Sequence, residues 1–154
     1  MQKRTIGCVL LAMAFSHAAQ AADSHSNCGH FHLQISNMTS SVCVLTSEKI
    51  NHGNIISSPP MTIMPNDSKV FDMEQTGFGP SITLSYQCGN EHIAFTSKQD
   101  LCFLQAGNIT GTILDPLPVN INASYTAFTG SYFWNKPGNI NWKIIEESGK
   151  KITD

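Results

Sequence analysis

Apolar and polar residues alternate with a period of two along most of the chain, which is the signature of strands with one buried face. Phe31, Leu33 and Ile35 alternate with His30, His32 and Gln34. Residues 41–46 (SVCVLT) resume after a turn-like Asn-Met-Thr-Ser, so the spacing predicts a hairpin over 30–46. The polar stretch 47–60, with Gly53 and Pro59-Pro60, predicts a loop. Short strands are expected at 61–64 and 69–73 around Pro65-Asn66-Asp67, read as a type I turn. In 81–87 (SITLSYQ), Ile82, Leu84 and Tyr86 share one face, and 92–96 returns after Cys88-Gly89-Asn90. Further strands are expected at 101–105, 109–114, 120–128 and 140–145, the last with Ile140, Trp142 and Ile144 on one face. From residue 146 onward the tail is expected to fray, and no segment reads as a capped amphipathic helix.

Strands with one polar face each must bury the other against a second sheet. The expected fold is therefore all-β, an antiparallel β-sandwich of Greek-key or jelly-roll type.

The first two dozen residues break this pattern. Lys3 and Arg4 precede an apolar run of eleven residues, 5–15, too short to span a bilayer, and Ala19 and Ala21 supply small side chains before the next polar residue. A signal peptide over residues 1–21, cleaved after Ala21, is expected, leaving one domain over 22–154 in a secreted or periplasmic protein. Cleavage removes Arg4, the sole arginine, and seven lysines against eleven acidic residues leave a formal charge of −4. Such a chain lacks the basic face that nucleic acid requires and the polybasic cluster that draws proteins to anionic lipid. Four cysteines follow the leader, Cys28, Cys43, Cys88 and Cys102, and predict two disulfides. Three connectivities are open. Spacing favours the local pairs Cys28 with Cys43 and Cys88 with Cys102.

Familiar catalytic motifs do not occur: the chain has no GxSxG, no HExxH and no phosphate-binding glycine loop. Asp72 and Glu74 fall on one face of an expected strand, an arrangement that suits acid–base or calcium chemistry and equally a solvated surface. His25, His30 and His32 cluster, and two imidazoles two apart on a strand can share copper or zinc; an exposed edge strand accounts for them as well. No cofactor is implied. Tyr132-Phe133-Trp134 runs into Asn135-Lys136-Pro137-Gly138, and strand alternation would bury two of the three rings at most. Either Tyr132 and Trp134 are core with Phe133 partly covered, or the run is a ligand-contacting loop suited to a sugar ring or a membrane interface. Asn-x-Ser/Thr sequons stand at Asn37, Asn66, Asn108 and Asn122.

A strand ending in Asn37-x-Thr39, then Gly53 ahead of Pro59-Pro60, Ile63-x-Pro65, and Gly79 leading into a strand with Tyr86, resembles the aegerolysin-like small β-sandwich family over residues 31–97. Weaker likeness extends to 139–144. The resemblance implies a sandwich fold and membrane-lipid binding, sometimes as one half of a pore-forming pair. The expected function is a non-enzymatic protein recognising membrane lipid or glycan through Tyr132, Phe133 and Trp134. The alternatives are a module that docks on a partner protein, such as a virulence or envelope factor, and an exported hydrolase with a dispersed site.

Overall fold

The computed structural model describes residues 27–116 and 118–147. The expected leader and His25 lie outside the described residues. A short 3-10 turn, Asn27–Gly29, leads into twelve strands: β1 (His30–Met38), β2 (Cys43–His52), β3 (Asn54–Ile55), β4 (Thr62–Ile63), β5 (Asp67–Glu74), β6 (Ser81–Cys88), β7 (Glu91–Gln99), β8 (Ala106–Gly107), β9 (Ile109–Ile113), β10 (Ile121–Phe128), β11 (Gly130–Ser131) and β12 (Gly138–Glu146). They form two five-stranded sheets, ordered β10-β12-β1-β5-β3 and β4-β2-β6-β7-β9, and a small β11-β8 ribbon. The pairing is antiparallel except between β1 and β12, which run parallel in register from Phe31↔Gly138 to Met38↔Ile145. The sandwich is thus mixed, with the first and last long strands side by side.

The inward faces are those that the alternation marks. Phe31, Leu33 and Ile35 of β1, Ile82, Leu84 and Tyr86 of β6, and Ile140, Trp142 and Ile144 of β12 are all buried. Trp142 links the two layers. Its ring lies 4.4 Å from Phe95 of the opposite sheet and 4.9 Å from Tyr125 of its own, and Nε1 donates to Ser97 Oγ at 2.8 Å. Gly111 on β9 makes room for it, since a Cβ there would sit 2.6 Å from the indole.

Five expectations are corrected. β1 and β2 are not a hairpin, because they belong to different sheets. Asn37 turns the chain across: its buried amide donates to Ser41 O (2.8 Å) and Ile63 O (3.0 Å) and accepts from Thr39 N and Oγ1. This explains the Asn-x-Thr signature, and it leaves the Asn37 sequon no free amide in the folded protein. Second, residues 47–52 of the stretch expected as loop form the second half of β2 and Asn54–Ile55 form β3, while 56–60 is loop. Among the described residues that half of β2 has no neighbour on its far side; it pairs with β6 through two register shifts and is polar as an edge strand is. Third, 101–105 is a loop. Fourth, the disulfides are Cys28–Cys102 and Cys43–Cys88, not the local pairs. Cys43 and Cys88 face each other on β2 and β6 with Cα atoms 4.1 Å apart, whereas the crossing after Asn37 separates Cys28 from Cys43. The turn at 64–67 also differs in type: Asn66 has φ 59°, the left-handed value of a type II turn's third residue.

Replacing Asn37 by Ala leaves two buried carbonyls and a backbone N–H without their partner. The Asn37→Ala protein is expected to lose about 3 kcal/mol or more in urea unfolding, with its m-value unchanged.

Candidate functional site

One pole of the sandwich gathers the ends of β1, β5, β6, β7, β10 and β12, and there the chain exposes its large rings. β11 and the segment after it form a tight hairpin: Ser131 and Lys136 exchange two backbone hydrogen bonds of 2.9 Å, and Asn135 N donates to Tyr132 O at 3.1 Å. Asn135 supplies the left-handed residue at φ 48°, a conformation Asn tolerates well. Tyr132, Phe133 and Trp134 therefore sit on a turn, where strand alternation does not apply. Tyr132 is half-buried, whereas Phe133 and Trp134 are 77% and 78% exposed. The core tryptophan is Trp142.

A second loop, residues 100–105, lies beside this turn because β8 at its end pairs with β11. It brings Phe103 edge-on to Tyr132 at 6.0 Å, and Tyr132 in turn meets Phe133 edge-on at 5.9 Å. Phe103, Tyr132 and Phe133 thus form a line of ring contacts across the two loops, and Phe103 (62%) and Leu104 (58%) are exposed. Leu104 has φ 55°, a costly conformation for a branched side chain, and such strain persists only where surroundings impose it. The surroundings are explicit. Cys102 is tied to Cys28, and the Gln75 side chain clamps Cys102 at both backbone groups, accepting from its N–H (3.1 Å) and donating to its carbonyl (3.2 Å).

The turn Asn27–Gly29 joins these parts. Asn27 N donates to Asn135 Oδ1 at 2.7 Å, Cys28 O accepts from the buried Gln99 side chain at 2.8 Å, and Gly29 O accepts from Gln75 N at 2.9 Å. Gly79 packs against the backbone of residues 99–101, where a Cβ would lie 2.0 Å from Gln99 O. The loop carrying Phe78, 68% exposed, is thereby held to the same pole, and Phe128, 65% exposed, ends β10 there. Charge is sparse: Lys98 pairs with Asp100 at 3.0 Å, and Lys136 follows the aromatic turn.

Phe103 and Leu104 were not selected from the sequence, since residues 101–105 read as a strand that would bury alternate members. The available signal was a cysteine flanked by Leu101, Phe103 and Leu104 without β-branched partners.

The other candidates are placed elsewhere. His30 and His32 face outward on β1, opposite Glu74 and Asp72 respectively. His32 Nδ1 contacts Asp72 Oδ1, and the Asp72 backbone N–H donates to the Ser57 hydroxyl oxygen at 2.8 Å. This pair lies on an open sheet face. Among the described residues, no group of three or more His, Cys, Asp or Glu is arranged to hold a metal ion. At the opposite pole, a hollow of about 290 Å³ is lined by Thr39, Ser41, Asn90, Glu91, Asn120 and Glu146 among others, and no histidine faces it. Its carboxylates are engaged: Glu91 accepts from Asn120 Nδ2 and Glu146 from the Ser40 hydroxyl, both at 2.5 Å. Ser40 holds the Glu146 carboxyl below the usual carboxylate range. Among the described residues, no helix is long and apolar enough to cross a membrane.

Opening the Cys28–Cys102 bond should loosen this pole and spare the core. In the Cys28→Ser/Cys102→Ser protein, hydrogen exchange is expected to accelerate across 100–107 and 130–137 while β6 and β7 keep their protection. Uniform acceleration would show instead that the bond supports the whole sandwich.

No protein-family model matches the sequence, and no curated protein matches it. Among solved structures, the fold is similar to the lipid binding protein Nakanori, with a TM-score of 0.55 at 9% identity, covering 75% of this chain and 70% of that one. It is equally similar to IP-1A from Alcaligenes faecalis, with a TM-score of 0.55 at 14% identity, covering 80% of this chain and 94% of that one. At such identities the likeness shows the fold alone, a two-layered β-sandwich.

Proposed function

We propose that this chain is a non-enzymatic surface-binding protein that engages membrane lipid through the aromatic pole, with Tyr132, Phe133 and Trp134 as its contacts and Phe103 and Leu104 beside them. The observation that carries this reading is the exposure of Phe133 and Trp134 on a turn packed against a second apolar loop that is fixed by a disulfide. A soluble fold gains nothing by holding rings in water, and contiguous exposed apolar patches mark interaction sites. Aromatic rings suit the zone between headgroups and acyl chains, where one side of the ring is wet and the other dry. A pre-formed loop gives up little entropy on contact. The sparse charge around the pole favours contact by apolar insertion over attraction to anionic headgroups. Support comes also from the fold shared with a protein described as lipid-binding. The two disulfides fit action in an oxidising, extracytoplasmic compartment, secreted or periplasmic.

Co-sedimentation of the oxidised protein with neutral, anionic and sphingolipid-containing vesicles tests this. Trp134→Ala and Phe133→Ala are each expected to weaken binding at least about tenfold, the loss expected from withdrawing one large ring from an apolar phase. Their thermal stability should be unchanged, because both rings are outside the core. If vesicles of every composition bind the variants as well as the parent, the pole is not the contact surface. If none binds the parent, the lipid reading is wrong and a protein partner takes its place.

A further inference from the structure

The segment joining β5 to β6, residues 75–80, is wedged between two parts of the chain. On one side it meets residues 99–102: Gln75 clamps Cys102, Gly79 packs on the backbone, and Gln99 N donates to Pro80 O at 2.9 Å. On the other it meets the turn after β2. Gly53 there has φ 85°, and a Cβ on it would come within 2.6 Å of Glu74 O and 3.0 Å of Pro80. Thr76 N donates to Phe78 O at 3.3 Å and closes the loop on itself. Phe78, held at its tip, is 68% exposed. Its ring meets that of His52, the residue before Gly53, with centroids 5.4 Å apart and planes inclined at 37°.

A backbone fixed on both sides presents Phe78 outward, and it shares its supports with the loops at the aromatic pole. The Cys102 that Gln75 grips stands next to Phe103 and is bonded to Cys28, and Asn27 bonds to the aromatic hairpin. A surface approaching that pole is offered this ring too, and phenyl rings bury readily at the boundary between headgroups and acyl chains. His52 is exposed and adds a charge that depends on pH, since histidine gains its proton between about pH 8 and pH 5. A cationic imidazole keeps its contact, because a cation within about 6 Å of a ring centroid is attracted to the ring face. The charged residues around it are balanced. Glu48 and Lys49 adjoin on β2, Lys98 lies across Ser81 on β7 and pairs with Asp100, and Glu74 on β5, opposite His30, accepts from Asn54. One proton on His52 therefore turns a pole of sparse charge toward anionic headgroups as the pH falls.

We propose that Phe78 is a second membrane anchor of this pole, and that protonation of His52 beside it strengthens the hold on anionic membranes at acid pH. The proposal rests on the membrane reading above.

Phe78→Trp in a Trp134→Phe background puts a fluorescent reporter in the loop, and Trp134→Phe alone serves as the control because its remaining Trp142 is buried. With vesicles brominated on their acyl chains, the reporter is expected to be quenched and the control not. In co-sedimentation, phosphatidylcholine vesicles containing phosphatidylglycerol are expected to bind the oxidised protein at least about fivefold more tightly at pH 5.5 than at pH 7.5, the effect of one charge near an anionic surface. Pure phosphatidylcholine should show no such gain. His52→Gln is expected to lose the gain, whereas His92→Gln, at the opposite pole, keeps it. A reporter that stays unquenched on vesicles it binds overturns the anchor. No gain at pH 5.5, or a gain that survives in His52→Gln, overturns the part assigned to His52. Failure of the unaltered protein to bind any vesicle overturns the membrane reading, and the anchor with it.

Discussion

The indole of Trp142 is the contact on which the two layers of the sandwich depend. It stands on β12, whose neighbours β1 and β10 pin it from both sides, and it stacks on Phe95 of the other sheet while its N–H finds the Ser97 hydroxyl. A buried indole needs such an acceptor, and Ser97 is itself buried, so each group satisfies the other where water is excluded. The contact also requires an absence, since β9 can approach only because residue 111 has no side chain. An aromatic deletion in such a setting typically costs about 3–5 kcal/mol, a large share of the stability of a domain this size. The parallel β1–β12 pairing follows the same logic. It buries the strand that carries Trp142 in the interior of its sheet, with β10 as the outer cover.

A rigid sandwich allows its pole to be expensive. Leu104 in a left-handed conformation and two rings more than three-quarters exposed all lower stability, and none would persist in loops free to relax. They are held by the turn Asn27–Gly29, which bonds to the aromatic hairpin through Asn27, to the 100–105 loop through Cys28, and to β5's end through Gly29. Closing a loop of 74 residues, the Cys28–Cys102 bond removes about 4 kcal/mol of chain entropy from the unfolded state in the polymer estimate. That is enough to offset the strain it imposes.

The strands legible in the sequence were those buried on one face, because only there does a period of two have a physical cause. β7 and β12 follow it over most of their length, and β1 and β6 do so apart from one end, where Ser36 and Ser81 are also buried. β2 does not, for its second half is an edge strand, bulged and polar, and nothing in its pattern distinguishes it from a loop. The β1–β2 hairpin was misread because a turn between sheets and a turn within one sheet use the same residues. What differs is the destination of the Asn37 amide, Ile63 O, which lies 26 residues away. Disulfide pairing failed for a related reason. Sequence separation measures the entropy of loop closure, whereas pairing is decided by which strands become neighbours, and β2 neighbours β6.

The candidate site was legible by half. Three consecutive rings ahead of Asn-Lys-Pro-Gly marked the turn at 132–134, since no strand buries consecutive side chains on one side. The second loop was hidden, because Cys-Phe-Leu reads as interior wherever it occurs, and only the clamp from Gln75 and the bond to Cys28 reveal that it is held outward. Pattern along one strand locates what is buried; pairing between strands decides which exposed groups act together, and function at a surface depends on the second.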